Sequence, residues 1–303
     1  MKIIFAHNPT AGDGNLSESE LKTLFGAGHD IDYYNVKEKT YHKIAEQKAD
    51  CVVIAGGDGT VGKVSKTLIG REHPIYIIPS GTANNIAKCL GISFSKDKLK
   101  ELDKHKSTIS FDVGLVENNC ERSHFIESIG FGLFSHMGSI VHKLKKENYI
   151  TFPNAEEKIK FAVDMMKRLL KNYQPNQYHI KADGKEYSGT YLMVEIMNIA
   201  SIGPNLNLAP KAKPDDGYFD LVLVKDSQKE NLIKFLNSCL TTPCHDYLHI
   251  VKAKEIEIQC AYCEAHIDDT FIEKAPSCSN KNKNQISFSI RPQKRALTFL
   301  KNT

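Results

Sequence analysis

Val52-Val53-Ile54-Ala55-Gly56-Gly57-Asp58-Gly59-Thr60-Val61-Gly62-Lys63-Val64 is an apolar strand running into a glycine-rich turn and then a helix-forming pattern. Three nucleotide-binding patterns overlap in it. Gly57-Asp58-Gly59-Thr60-Val61-Gly62 fits GxGxxG, which wants an acidic residue about 20 positions on, closing the next strand. That strand ends Ile77-Ile78-Pro79-Ser80 with no acid, so the dinucleotide pattern fails. Gly57 to Lys63 also fits the start of GxxxxGK[ST], but the hydroxyl residue that should ligate magnesium is Val64. Gly56-Gly57-Asp58-Gly59-Thr60 remains as the unit. Adjacent glycines let backbone amides approach a phosphate closely. A carboxylate beside phosphate is repelled, so Asp58 makes sense as a magnesium ligand or as a base near a transferred phosphoryl group.

Around this stretch, Lys2–Ala6, Asp32–Val36, Cys51–Ala55 and Ile75–Ile78 read as short strands, each followed by a loop and a helix-like pattern. That alternation predicts a parallel sheet covered by helices. Ligands of such sheets bind at the carboxyl ends of the strands. Three glycine-bearing loops leave strands there: His7–Gly14, Gly56–Thr60 and Pro79–Asn85. From about Ser107 the pattern changes. Ile109–Leu115, His124–Ile129, Tyr178–Ala182, Tyr187–Met197, Phe219–Val224, Lys254–Cys260 and Ile286–Ile290 predict a mainly antiparallel second domain, with Asp183-Gly184 as a hairpin turn. The expected division is 1–115 for the α/β nucleotide domain and 116–290 for the β-rich domain, with the tail 291–303 returning to the first. A helix is expected after Asn154, capped with Glu157, whose apolar face carries Ile159, Ala162, Val163, Met166 and Leu170 between flanking lysines. Such a stripe more often packs on its own core than on an anionic membrane.

Bulk properties narrow the partners. The chain has 303 residues, 41% hydrophobic and 25% charged, enough for two cores, and its net charge of +4 is a mild bias towards anions. No nucleic-acid signature is present. The N-terminus lacks the roughly 7–15 apolar residues of an export signal, and no stretch approaches the ~20 of a membrane span. A cytoplasmic chain follows, with peripheral contact to a membrane left open and any lipid met at a surface. A homodimer is also left open. Cys260-Ala-Tyr-Cys263, with His266 and Cys278 nearby, matches a zinc spacing. The strand-like alternation from Ile256 points residues three apart to opposite faces, which argues against it.

Taken together, the loops resemble the diacylglycerol-kinase catalytic family, which includes sphingosine, ceramide and bacterial lipid kinases. Asn8-Pro9-Thr10-Ala11-Gly12 is similar to its N-P-x-[SA]-G, Gly56–Thr60 to its G-G-D-G-T, and Pro79-Ser80-Gly81-Thr82-Ala83-Asn84-Asn85 to its P-x-G-T-x-N-D. Ser128-Ile129-Gly130-Phe131-Gly132 and Asp215-Asp216-Gly217-Tyr218-Phe219-Asp220 match further on. The resemblance implies a phosphofructokinase- or NAD-kinase-like nucleotide domain and a β-sandwich lipid-side domain, with ATP and magnesium between them. It places Asn8, Pro9, Thr10, Gly12, Gly56, Gly57, Gly59, Thr60, Lys63, Gly81, Thr82 and Asn84 at the nucleotide and makes Asp58 the central acid. It implies a structural metal at the D-D-G turn, held by Asp216 and the backbone carbonyls of Lys213 and Tyr218.

The chain departs from the family in three places. Gly62-Lys63 stands where many members have Asn-Glu, though a lysine is compatible with phosphate. Asn84-Asn85 replaces Asn-Asp. Most consequentially, Ile267-Asp268-Asp269-Thr270 stands where bacterial members have D-G-E, whose Glu is the expected base. Threonine cannot take that proton at neutral pH. Asp268, Asp269 or Glu273 is then the substitute, or activity is lost. The expected reaction is in-line transfer of the ATP γ-phosphoryl group to a lipid hydroxyl, diacylglycerol first, with Asp58 and Asp268 or Asp269 orienting metal and nucleophile. The rivals are a catalytically impaired regulatory homologue and an NAD kinase, which shares G-G-D-G-T.

Overall fold

The computed structural model describes residues 1–11, 18–25, 28–94, 99, 102, 107–118, 121–152, 154–239, 247–261, 264–272 and 285–301. The chain forms two compact units, Met1–Val113 with Lys294–Thr303, and Gly114–Gln293.

In the first unit, β1 (Lys2–His7), β2 (Asp30–Asn35), β3 (Cys51–Gly56) and β4 (Pro74–Pro79) pair in parallel in the spatial order β2-β1-β3-β4. Every residue of β3 is buried, because helices cover both faces and the strand reads as one apolar run. Ile3, Phe5, Val53, Tyr76 and Ile78 pack on one face with Phe25 and Leu300. The helices of this unit are α1 (Glu18–Leu24), α2 (Asp58–Thr67) and α3 (Asn85–Cys89). Because β1 connects to β2 on one side while β3 lies on the other, the strand order reverses between β1 and β3. That reversal opens a crevice at the carboxyl ends of those two strands. From the C-terminal segment, Thr298 and Phe299 pair parallel with Pro74 and Ile75.

The second unit is built from antiparallel pairs. Its elements are β5 (Thr108–Asn118, whose second half belongs here), β6 (Arg122–Phe125), β7 (Ser128–Gly132), α4 (Leu133–Lys146), α5 (Ala155–Leu170), β8 (Asn176–Ala182) and β9 (Lys185–Glu186). There follow β10 (Gly189–Met197), β11 (Ser201–Ile202), β12 (Leu206–Asn207), β13 (Phe219–Lys225), α6 (Lys229–Ser238), β14 (His249–Ala253), β15 (Ile256–Cys260), β16 (Ala265–Ile267), β17 (Thr270–Ile272) and β18 (Ile286–Leu300, whose second half belongs to the first unit). β10 is the hub, pairing with β7, β8 and β13. β8 and β9 form the hairpin at Asp183-Gly184, whose φ values of 47° and 80° put both residues in the left-handed region a type I′ turn requires. Cys260 is buried opposite Tyr178 and Ile286, while Cys263, Cys278 and Glu273 lie outside the described residues. No cluster of three or more metal-ligating side chains occurs among the described residues.

One sequence expectation changes in detail. The strand read as His124–Ile129 is broken at Ile126-Glu127, because the amides of Ile126, Glu127 and Ser128 turn to the Asp268 carboxylate instead of to a neighbouring strand. The helix after Asn154 is α5, with the Asn154 side chain accepting from the Glu157 amide at 2.9 Å. Its apolar face, Ala162, Val163, Met166 and Leu170, is buried with Met193, Val222 and Leu232. The stripe therefore packs on the core. No helix among the described residues is long and apolar enough to cross a membrane.

One row of this sheet is unusual. Glu195 on β10, Gly130 on β7 and His266 on β16 stand opposite one another across three adjacent strands. Glu195 and His266 are both fully buried. A Cβ on Gly130 would lie 1.9 Å from Glu195 Oε2, so only glycine lets the two side chains meet across the middle strand. Burial pushes the Glu195 carboxyl well above its usual range and the His266 imidazole down to about 3. The two shifts load the pH–stability curve from opposite sides. Unfolded Glu195 ionises near 4.5 while the folded carboxyl keeps its proton, so its contribution is lost as pH rises. Unfolded His266 protonates near 6.5 while the folded ring does not until about 3, so stability is lost as pH falls through that window. Glu195→Gln is therefore expected to raise Tm more at pH 8 than at pH 5. Thermal unfolding at the two pH values checks it, and a gain that shrinks with rising pH would contradict the neutral carboxyl.

Candidate functional site

The carboxyl ends of β1, β3 and β4 carry the three glycine loops, and hydrogen bonds draw them together. Asn8, directly after β1, donates from Nδ2 to Thr60 Oγ1 at 2.8 Å, bridging the crevice where strand order reverses. Its Oδ1 accepts from the Thr10 amide and hydroxyl at 3.2 and 3.0 Å, which shapes the exposed Pro9-Thr10 turn. The Asn8 amide donates to Ala55 and the Ser80 amide to Gly56, tying all three loops to the end of β3.

Each residue of Gly56–Thr60 has a distinct physical role. A Cβ at Gly56 would fall 2.5 Å from the Thr60 side chain. Gly57 and Gly81 bring two backbones together so closely that a Cβ on Gly81 would sit 2.3 Å from Gly57 Cα. Gly57 also begins α2, accepting from the amides of Thr60 and Val61 at 2.9 Å. Asp58 is the first residue of α2, and its Oδ1 accepts from the Ile86 amide at 2.9 Å in the first turn of α3. The carboxylate thus lies at the amino ends of two helices, where unsatisfied amides and the dipole favour negative charge. Gly59 is exposed and Thr60 is buried. Asn84 holds the third loop, with φ 52° and reciprocal bonds to the Gly81 amide and carbonyl at 2.9 and 2.7 Å, leaving Thr82 exposed.

Of the residues expected at the nucleotide, Asn8, Pro9, Thr10, Gly56, Gly57, Asp58, Gly59, Thr60, Gly81, Thr82 and Asn84 lie on these loops, and Gly12 falls outside the described residues. Lys63 is placed one helical turn and more along α2, its ammonium 4.6 Å from the centre of the Tyr41 ring. Its described partner is an aromatic face, and that face offers a cation nothing that depends on phosphate.

The second unit holds the other candidates. Asp268 and Asp269 make the turn between β16 and β17. Asp268 has φ 51° and accepts through Oδ1 from the amides of Ile126, Glu127 and Ser128 at 3.0, 2.8 and 3.3 Å. Its Oδ2 accepts from Ile126 at 3.1 Å, and its own amide donates to Ser128. A carboxylate held by three amides is a turn lock. Asp269 and Thr270 are exposed on the same turn.

The D-D-G turn presents a different picture. Asp216 Oδ1 accepts from the Tyr218 amide at 3.0 Å, and Oδ2 holds the Lys252 ammonium at 2.6 Å. Lys252 stands opposite Asp220 in the β13–β14 register and carries a raised pKa, caused first by the Asp216 hydrogen bond. Lys213 is exposed. A metal on Asp216 would compete with the Lys252 ammonium already held by Oδ2. The same Tm with and without a chelator is expected for the nucleotide-free protein. Lys252→Met should lower Tm slightly, by about 1 kcal/mol of stability or less, and make it responsive to millimolar magnesium or calcium.

Sequence reading missed Ile86, whose amide partners Asp58, and the pair Glu195–His266. A single acid inside Leu192–Met197, a run otherwise apolar, was the readable signal for Glu195.

Comparison with known proteins agrees with this layout. Residues 2–116 match the diacylglycerol kinase catalytic domain, and residues 141–292 match the YegS C-terminal NAD kinase beta sandwich-like domain. A diacylglycerol kinase of Mycobacterium tuberculosis is 23% identical over 292 residues, 91% of each chain. One of Bacillus subtilis is 28% identical over 197 residues, 63% of this chain and 59% of that protein. A crystal structure of a diacylglycerol kinase from Bacillus anthracis superposes with a TM-score of 0.68 at 20% identity, covering 99% of this chain and 97% of the other. Yeast NADH kinase complexed with NADH has a TM-score of 0.53 at 8% identity, over 100% of this chain and 83% of that one. Both structures bear on the fold alone, which is a parallel α/β nucleotide-type unit followed by a β-rich unit. With both family descriptions matched in order along its length, the chain belongs to the diacylglycerol kinase catalytic-domain family.

Proposed function

We propose that this chain is a lipid kinase that transfers the γ-phosphoryl group of ATP to a lipid hydroxyl, with diacylglycerol the first acceptor to test. The observation that carries the reading is the convergence of the Asn8, Gly57 and Gly81 loops at the point where strand order reverses. There the amide-rich start of α2 and the close backbones of Gly57 and Gly81 suit the phosphates, while Asn8, Thr10 and Thr82 supply polar contacts around them. Asp58 is the one carboxylate of this cluster among the described residues. It suits magnesium, which takes one or two carboxylates plus substrate phosphates and would neutralise charge on the transferring group.

In the transfer, the lipid oxygen bonds to the γ-phosphorus as the bond to the ADP oxygen breaks, and the hydroxyl proton leaves to a carboxylate. Asp269 is the proposed acceptor, because Asp268 is engaged by three amides and Thr270 is no base at neutral pH. A second reading, a regulatory homologue that binds nucleotide without turnover, draws on the exposed Thr270 in the family's glutamate position.

Incubation of the pure protein with magnesium and γ-labelled ATP, offering diacylglycerol micelles or NAD, tests these readings together. Label in phosphatidic acid is the expected result. Label in NADP would make the chain an NAD kinase, and nucleotide binding without transfer would leave the regulatory reading.

A further inference from the structure

The second unit holds a buried polar network, no member of which has a place in the proposed transfer. Its centre is His266, held from three sides. Nδ1 lies 2.9 Å from Ser135 Oγ, and that hydroxyl donates to the Gly130 carbonyl at 3.0 Å. Because the Ser135 proton is committed to Gly130, the contact to Nδ1 is made by an Nδ1–H donating to the hydroxyl oxygen. The other nitrogen, Nε2, faces Ser128 Oγ at 3.3 Å and Glu195 Oε2 at 3.5 Å.

Glu195 has no exposure, and its two oxygens have no hydrogen-bond partner within ordinary limits among the described residues. An ionised carboxylate so placed would be a bare buried charge against a nitrogen lone pair, which is prohibitively unfavourable. A protonated one carries no charge and directs its O–H towards Nε2 along the 3.5 Å approach, beside the closer Ser128 hydroxyl. A charge-separated pair has the same proton count but must desolvate two ions. The neutral arrangement therefore wins, and the ring is fixed as the Nδ1–H tautomer.

The network continues to the acceptor-side turn. Ser128 Oγ contacts Nε2 while the Ser128 amide donates to Asp268, and His266 lies two residues before Asp268 on the same short strand. Asn198 secures the opposite side of the amide cluster, donating to the Ile126 carbonyl at 2.9 Å. β16 is only three residues long and would otherwise be held by few ladder bonds.

We propose that Glu195 and His266, a neutral buried pair in contact across Gly130, are positioning residues that hold the Asp268–Thr270 turn on the Ile126–Ser128 amides for phosphoryl transfer. The catalytic part rests on the lipid-kinase reading above, whereas the structural linkage stands apart from it. Neither side chain touches substrate. They act through the turn that presents Asp269.

The test uses the full chain, Glu195→Gln, which keeps a donor to Nε2, and Glu195→Leu, which fills the space without one. Nitrogen NMR of the imidazole at pH 7 should show the neutral Nδ1–H form in the wild type and in Glu195→Gln. Amide exchange at Ile126, Glu127 and Ser128 should accelerate about tenfold in Glu195→Leu, as expected for one lost hydrogen bond of ordinary strength, and stay near wild type in Glu195→Gln. The turnover number should fall about tenfold in Glu195→Leu with KM for ATP unchanged, because the ATP loops lie in the other unit. Wild-type exchange and turnover in Glu195→Leu would overturn the proposal, as would a proton on Nε2 of the wild-type ring. If Glu195→Leu does not fold, the wild-type tautomer and the exchange of Glu195→Gln decide. If the wild type phosphorylates no lipid, the lipid-kinase reading fails, and the tautomer and exchange results still judge the linkage.

Discussion

Asp58→Asn is expected to lower phosphoryl transfer by about a thousandfold, the scale of losing a charge that acts at the reacting group, with little change in Tm. The substitution is nearly isosteric and keeps an oxygen to accept the Ile86 amide, so the contact between α2 and α3 survives. What it removes is the negative charge at the start of two helices, where magnesium and phosphate are proposed to meet. The helix dipoles favour that charge only modestly, by about 1 kcal/mol or less, so folding loses little. Single-turnover transfer at saturating ATP, measured beside thermal unfolding, separates the two effects. A rate within tenfold of wild type would remove Asp58 from the chemistry.

Gly81→Ala should damage both stability and nucleotide binding. The new methyl would lie 2.3 Å from Gly57 Cα and 3.2 Å from Gly57 N, against backbone that cannot rotate aside. Either the Gly81 loop or the start of α2 must shift. Overpacking of this kind costs about 1–3 kcal/mol, and displacing a phosphate loop by an ångström is expected to weaken binding by at least about tenfold. Gly91→Ala is the control: Gly91 has φ 67° with nothing within 4 Å, so alanine there meets backbone strain alone. Denaturant unfolding with titration of a non-hydrolysable ATP analogue should show Gly91→Ala losing stability without losing affinity. Equal affinities for both variants would mean the Gly57–Gly81 approach is unrelated to the nucleotide.

Much of the first unit was legible because its signals are local. A five-residue apolar run such as Cys51–Ala55 is too short for a typical helix and reads as a strand buried on both faces, and the glycines that follow it mark a turn at its carboxyl end. The reasons for those glycines were less visible. Gly56 makes room for Thr60, four residues on in the same chain, but Gly57 makes room for Gly81, which no local pattern connects to it.

In the second unit, the alternating strands and the Asp183-Gly184 turn could be read for the same local reason. The break at Ile126-Glu127 could not, because it is caused by a carboxylate 140 or so positions away. Asp268 illustrates the difference. As a residue type it is a candidate base, but three converging amides use its oxygens to hold a turn, and proton transfer passes by proposal to its neighbour.

The sequence by itself determined that Gly56–Thr60 ends a buried parallel strand, that two companion loops share its sheet, and that the chain has the family's motifs in order. Tertiary structure alone decided which groups meet: Asn8 with Thr60, Asp58 with the Ile86 amide, Lys252 with Asp216, and Glu195 with His266 over a glycine. Strand and turn formation depend on neighbours along the chain, whereas a hydrogen bond or a buried proton depends on which residues the sheet register brings opposite one another.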